Sequence, residues 1–127
     1  NAPRILRPTL QTRQRETLFF AGQLAGVEGY IGNAGSGLVA GLNAARLVQG
    51  RPPLVFPEEC MVGALAAYIS RADSRRFQPM KANFGLLPAL TQRVKAKRER
   101  GRAYAERALD SLESVCCGSH LPHRGTA

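Results

Sequence analysis

Three glycines mark the part of this chain whose chemistry is easiest to infer. Gly22, Gly26 and Gly29 follow the spacing G-x-x-x-G-x-x-G, between a short apolar run and a segment rich in alanine and leucine. Glycine lets a ligand approach the backbone closely, and a helix that begins here would offer free N–H groups and a partial positive charge. This chemistry suits a phosphate group or a flat, anionic cofactor.

The same glycines have a purely structural interpretation. Their spacing is not the G-x-G-x-x-G fingerprint of dinucleotide-binding proteins. A tight turn followed by close helix packing would also need residues without a Cβ. In that case the small residues Ala34, Gly37, Gly41 and Ala45 would form the packing face of the following helix.

Either interpretation needs a strand before the turn and a helix after it. The apolar run at residues 17–21 does not alternate, which predicts a buried strand in a parallel sheet. A helix is predicted from about Asn33 to Gln49, ended by the Gly-Arg-Pro-Pro run that follows. Residues 1–16 are basic and interrupted by prolines, and we expect a loop there.

Two further helices are predicted downstream. One begins after Pro57, with Glu58 and Glu59 in its first turn, and buries one face. The other spans about Thr91 to Val115, after an irregular loop at residues 73–90. Members of the first buried face are Met61, Leu65, Tyr68 and Ile69, and those of the second stripe are Val94, Gly101, Tyr104, Ala108, Leu112 and Val115.

This inventory predicts an incomplete α/β protein. A non-alternating strand needs neighbours on both edges and cover on both faces. The 127 residues supply no second strong strand, so we expect the chain to be the C-terminal part of a larger protein. Residues 1–115 are predicted to form one structured segment, and residues 116–127 a disordered tail.

Charge points to a polyanionic partner. Eighteen Lys and Arg against nine Asp and Glu give a formal net charge of +9. Such an excess favours RNA or an anionic cofactor, although a merely solvated surface remains an alternative. The densest basic cluster lies on the last predicted helix, and its candidate phosphate contacts are Lys95, Lys97, Arg98 and Arg100.

The cysteines predict neither a disulfide framework nor a metal site. Cys60, Cys116 and Cys117 are odd in number and lack framework spacing, which fits a reducing cytoplasm. The tail also holds His120 and His123, but structural zinc sites separate their paired cysteines by two to four residues. No apolar stretch approaches the length needed to cross a membrane.

Two longer motifs carry a family resemblance. "AGQLAGVEGY" at the glycine turn and "FQPMKANFGLLPAL" further on resemble the C-terminal part of the TrmFO family, the folate- and FAD-dependent tRNA (uracil-5-)-methyltransferases. The resemblance covers about residues 1–112. The related glucose-inhibited division proteins, which modify the wobble uridine, have a similar strand and helix. They typically show Thr-Thr in place of Val27-Glu28 and lack the second motif.

The resemblance implies a fold and a cofactor. The fold would be the C-terminal portion of a Rossmann-like, FAD/NAD(P)-binding flavoprotein of the glutathione-reductase type, incomplete on its own and extended by C-terminal helices. The turn would run under the flavin ring, with the helix N-terminus aimed at its pyrimidine side. The residues implied to bind FAD are Gly22, Gln23, Gly26, Val27, Glu28, Gly29 and Tyr30.

The resemblance also implies a reaction. The family transfers a one-carbon unit from 5,10-methylenetetrahydrofolate to C5 of the T-loop uridine of tRNA, with reduced FAD and electrons from NADPH or NADH. The family's nucleophilic cysteine lies upstream of this segment, and the position of Cys60 does not match it, so no catalytic residue is predicted here. The alternatives are a fragment of the wobble-uridine family and a non-catalytic, basic RNA-binding remnant.

Overall fold

The computed structural model describes residues 1–118 and combines helices with a small parallel sheet. Two short 3₁₀ turns, at Gly22–Ala25 and Phe84–Leu86, complete the regular structure of this range. The arrangement is compatible with part of an α/β flavoprotein domain. The elements in chain order are α1 (Ala2–Ile5), β1 (Val27–Glu28), α2 (Tyr30–Val48), α3 (Met61–Arg71), β2 (Met80–Lys81) and α4 (Lys97–Gly118).

Helix α2 confirms the predicted helix after the turn, but it begins three residues earlier. Gly29 adopts φ 81° and ψ 155° as its N-cap, so the chain enters the helix directly from the turn. At the other end, Gly50 has φ 68° and its N–H donates to the carbonyl of Leu47 at 3.0 Å. Glycine reaches this left-handed conformation without the cost that a side chain would add.

The prediction of a loop at residues 1–16 is wrong at Ala2–Ile5, which form α1, while residues 6–16 are irregular as predicted but supply part of the core. Leu6 and Leu10 are 1% and 0% exposed. Pro3 lies in the first turn of α1, where its missing N–H breaks no helical hydrogen bond. Isolated antiparallel bridges join Leu6 to Thr12 and Gln11 to Phe19. The prolines therefore interrupt the regular structure of the segment without exposing it to solvent.

The predicted strand at residues 17–21 does not form within the described residues. Its one bridge within the described residues, from Gln11 to Phe19, is antiparallel. The bridge consists of the bonds from the Thr12 N–H to the Leu18 carbonyl at 2.8 Å and from the Phe20 N–H to the Leu10 carbonyl at 3.2 Å. The apolar side chains of this segment are partly buried against the core. Parallel pairing occurs instead between β1 and β2, with Val27 opposite Met80 and Glu28 opposite Lys81. A parallel strand needs a partner, and the described residues offer none to residues 17–21.

Helix α3 packs its predicted face inward but starts later than expected. Leu65 and Ile69 are 2% and 0% exposed. Cys60 is the N-cap, so Glu58 and Glu59 precede the helix and do not occupy its first turn. Glu58 instead pairs with Arg71 in the last turn of the same helix.

Helix α4 begins six residues after the predicted start and continues through Cys116 and Cys117 to Gly118. Its predicted inner stripe is half-buried from Gly101 to Val115. The ring of Tyr104 stacks on Phe84, with centroids 5.1 Å apart. No helix within residues 1–118 is long and apolar enough to span a membrane.

Candidate cofactor and nucleic-acid sites

The glycine turn is fixed by backbone hydrogen bonds. The Gly22 N–H donates to the Ser36 hydroxyl at 3.0 Å, and that hydroxyl donates to the Asn33 carbonyl. The Gly26 N–H donates to the Gln23 carbonyl at 3.0 Å. Since Ser36 lies on α2, these bonds tie the turn to the helix that follows it. Ser36, a buried hydroxyl in the second turn of the helix, was not predicted from the sequence.

Gly26 allows the side chain of Phe77 to pack closely against the turn. A Cβ at this position would lie 2.4 Å from Cζ of Phe77, which is a severe clash. The Gly26 carbonyl also accepts a hydrogen bond from the Met80 N–H at 3.0 Å. The two motifs that carry the family resemblance therefore meet at this glycine. Phe77 is held in place by Tyr68, whose ring lies 5.6 Å away and whose hydroxyl donates to the Gln78 carbonyl.

Gly29 is different, because the space beside it is open. A Cβ there would meet only Cγ of Lys81, at 4.0 Å. Its φ of 81° with ψ of 155° is nonetheless a conformation that side chains rarely adopt. The backbone at Gly29 can therefore be approached by a ligand from outside the protein.

The start of α2 is an uncapped helix N-terminus. No side chain caps it, and its first turn contains no acidic residue. The first intrahelical bond runs from the Asn33 N–H to the Gly29 carbonyl, so the N–H groups of residues 30–32 have no partner within the helix. These groups and the helix dipole together favour an anionic ligand.

The seven predicted cofactor residues separate into two groups. The side chains of Gln23, Glu28 and Tyr30 are exposed, as is Gly29, and Tyr30 reaches 95% exposure. Gly26 and Val27 are buried, and Gly22 is half-buried. Val27 also touches the helix closely, since a Cβ at Gly32 would lie 2.8 Å from its Cγ1. The exposed residues can contact a ligand, and the buried residues can hold the turn in position.

An open pocket of about 300 Å³ lies at this helix N-terminus. Glu28 and Lys81, opposite each other in the sheet, place one charge of each sign at its edge. Sequence analysis did not assign Lys81 to the site, because only the pairing of β1 with β2 brings it there. The lining residues are Glu28, Gly29, Tyr30, Ile31, Gly32, Lys81 and Ala82.

The proposed small-residue packing face of α2 is not used within the described residues. Ala34, Gly37, Gly41 and Ala45 are exposed, and a Cβ at either glycine would meet no atom within 4 Å. Close packing occurs on the opposite side, where a Cβ at Gly35 would lie 2.9 Å from Cγ1 of Val62 on α3. Of the glycines in this region, Gly29 leaves the backbone open to a ligand, and Gly35 allows close packing against α3.

The basic candidates lie around the start of α4. Lys97, Arg98 and Arg100 are in its first turn and Lys95 is in the preceding loop, all with exposed side chains. A second open pocket, of about 520 Å³, is formed where the loop meets the helix. Arg93, Lys95 and Arg100 line it, together with Tyr104 and the loop residues Leu90, Thr91, Gln92 and Val94.

Neither the cysteines nor the acidic residues suggest another reactive centre. Burial raises the pKa of the Cys60 thiol, against smaller opposing backbone hydrogen bonds, and its Sγ donates to the Pro57 carbonyl at 3.0 Å. Cys60 is thus a packed N-cap. Within residues 1–118, no three potential metal ligands of the His, Cys, Asp and Glu types come together. The predicted tail beyond residue 118, with His120 and His123, lies outside the described residues.

Comparison with known proteins supports the motif-based resemblance. The family described as glucose inhibited division protein A matches residues 1–52. The chain is 58% identical to the methylenetetrahydrofolate–tRNA-(uracil-5-)-methyltransferase TrmFO of Heliobacterium modesticaldum, over 89% of this chain and 26% of the relative. The protein of the same name from Shouchella clausii is 54% identical over 90% of the chain and 26% of its own length.

A third relative of the same name, from Lactiplantibacillus plantarum, is 58% identical over 87% of the chain and 25% of its own length. The resemblance inferred from the two motifs is therefore confirmed over most of the chain. The chain spans about a quarter of the length of the curated relatives that it matches.

Proposed function

We propose that this chain is the C-terminal part of a folate- and FAD-dependent tRNA (uracil-5-)-methyltransferase, and that the turn before α2 lies beside the flavin. The observation that carries the proposal is the uncapped start of α2 beside Gly29, in a segment 58% identical to a methyltransferase of this name. Residues 1–115 would belong to an FAD-binding domain of the glutathione-reductase type with a helical extension, and the enzyme would act on tRNA in the cytoplasm.

The residues at the turn fit one edge of such a cofactor. Gly29 leaves room for a ring, and the first turn of α2 supplies N–H donors and contains no acidic residue, although Glu28 lines the same pocket. Oδ1 of Asn33 is buried near Gly22 and has no hydrogen-bond partner within the described residues. Donors fixed at a helix start stabilise negative charge without reorganising.

Each residue then has a defined task. Gln23, Gly29 and Tyr30 would contact the flavin, and Glu28 would lie at the pocket edge with Lys81. Gly22, Gly26 and Val27 would hold the turn in position from inside. When bound, the flavin would supply the reduction that converts the one-carbon unit of 5,10-methylenetetrahydrofolate into a methyl group, with NADPH or NADH as the electron source.

A second candidate is the related family that modifies the wobble uridine, because the division-protein family matches residues 1–52. Two observations favour the methyltransferase. The relatives named TrmFO match 87–90% of the chain, including the second motif. That motif contacts the turn directly through Phe77 and Met80. A non-catalytic RNA-binding remnant would not need the open, uncapped turn.

The experiment is a chimera in which this chain replaces the matching segment of the Heliobacterium modesticaldum relative. We expect the chimera to retain FAD after desalting and to methylate a tRNA transcript, whereas the chain alone retains none. Gly29→Val should lose at least about tenfold in flavin affinity, because a branched side chain would fill the approach to the backbone.

Two controls interpret the result. Gly29→Ala introduces the same backbone strain with less volume, and Arg102→Ala removes an exposed charge far from the turn. We expect intermediate flavin retention for the first and full retention for the second, with circular dichroism verifying the fold. Equal flavin content in Gly29→Val and Arg102→Ala would refute the proposed site.

A further inference from the structure

The loop–helix pocket at α4 offers a second binding site that the flavin chemistry does not use. This pocket has a volume of about 520 Å³ and is lined by the side chains of Arg93, Lys95 and Arg100. Within residues 1–118, ion pairs join Arg7 to Glu16, Arg71 to Glu58 and Arg102 to Glu106. None of the three pocket cations belongs to those pairs, so their charge is available to a ligand.

The nearest acidic residue is Glu99 in the first turn of α4, and it is not among the residues that line this pocket. Glu106 and Asp110 line a separate pocket, together with Arg107. Arg102 pairs with Glu106 at 2.8 Å on the surface of the helix. The two pockets share lining residues within the segment 90–94, and of the two only the basic pocket lacks a carboxylate among its lining residues.

The aromatic wall of the pocket indicates which part of a nucleotide it can take. Tyr104 already stacks on Phe84 at 5.1 Å, and the Arg107 guanidinium lies 5.2 Å from the centre of its ring. Its ring is thus engaged by the protein, which leaves it poorly suited as a stacking platform for a base. Guanidinium and ammonium groups, by contrast, bind phosphate oxygens strongly.

We propose that Arg93, Lys95 and Arg100 form a subsite for a backbone phosphate of RNA, and that Lys97 and Arg98 lie outside it. This inference deepens the proposed function, on which the choice of RNA as the partner rests. It also divides the four basic residues identified from sequence, since only Lys95 and Arg100 line the pocket. Phosphate contacts position a nucleic acid without selecting its sequence.

The test compares two double variants of the 127-residue chain that remove equal charge. The pocket pair is Arg93→Gln with Arg100→Gln, and the outer pair is Lys97→Gln with Arg98→Gln. Binding of a labelled T-arm RNA hairpin is measured by fluorescence anisotropy over a range of salt concentrations. We expect the pocket pair to weaken binding at least about tenfold and the outer pair less than about threefold.

The salt dependence gives a second readout. If one phosphate occupies the pocket, the pocket pair should lower the log–log slope by roughly one contact, about 0.7–0.9. The proposal would be overturned if both pairs lost the same RNA affinity or if the pocket pair lost none. Binding of polyglutamate in place of RNA would also overturn it. The assay contains no flavin, so its failure is distinct from a failure of the chimera to retain FAD.

Discussion

The turn before α2 and the loop before α4 both lead into a helix N-terminus, but they are held in different ways. The first is locked by the core, through Gly26 against Phe77 and through the paired strands β1 and β2. The second is tied to its helix by Arg107, which donates to the carbonyls of Pro88 and Ala89 at 2.7 and 2.9 Å.

The difference shows how each region can recognise a ligand. The first presents backbone N–H groups at fixed positions, which suits a flat ring that must approach closely. The second presents long, exposed cationic side chains, which suit the phosphates of a polyanion. Changes at residues that hold either region in place, such as Gly26 and Arg107, should therefore lower fold stability, whereas changes at the exposed cations of the second region should lower ligand affinity.

The largest expected effect comes from comparing Gly26→Ala with Gly29→Ala. Both substitutions strain a backbone with positive φ, at a cost of about 1–3 kcal/mol. Gly26→Ala adds a clash with Phe77, for which overpacking costs typically 1–3 kcal/mol. We expect urea denaturation to show Gly26→Ala as the less stable variant by at least about 1 kcal/mol. Equal stabilities would mean that Phe77 can move aside at little cost.

A smaller effect is expected at the second region from Arg107→Gln. This change removes a charged donor from two carbonyls and from the face of Tyr104. We expect a loss of about 1 kcal/mol in unfolding free energy, since such bonds contribute about 1.5–3 kcal/mol and these are partly exposed. The matched control is Arg102→Gln, whose exposed pair with Glu106 should contribute less than about 0.5 kcal/mol. If the two variants show the same stability in thermal unfolding, Arg107 does not stabilise the contact between the loop and α4.

The smallest effect tests whether the helices themselves differ. Gly37 in α2 and Gly101 in α4 both lie in helix interiors, and a Cβ at either would meet no atom within 4 Å. Replacing each by Ala should stabilise the protein by about 0.5–1 kcal/mol. If both variants gain a similar amount of thermal stability, the difference between the two regions lies in the segments that precede the helices. A loss at either position would indicate packing that this glycine accommodates.

Much of the helical structure could be predicted from sequence. The glycine turn and the following Gly-Arg-Pro-Pro run located α2, and apolar periodicity found α3, α4 and the inner stripe of α4 from Gly101 to Val115, because a helix places these residues on one side. The boundaries were less accurate, since Glu58 and Glu59 look like a helix start but precede α3. The strand expected at residues 17–21 does not form because the described residues offer it no parallel partner, and Phe19, Phe20 and Ala21 instead pack against the core.

Residue types and spacing alone are enough to recognise the two motifs, the basic excess and the family resemblance. The role of each glycine follows only from the packing around it. Gly26 and Gly29 are three residues apart and both have positive φ, yet one touches Phe77, about fifty residues away, and the other faces open space. A local pattern cannot encode which distant side chain fills the space beside a residue. The same reason explains why Leu6 and Leu10 are buried in a segment that looked like a solvated loop, and why Arg93 joins Lys95 and Arg100 in one pocket.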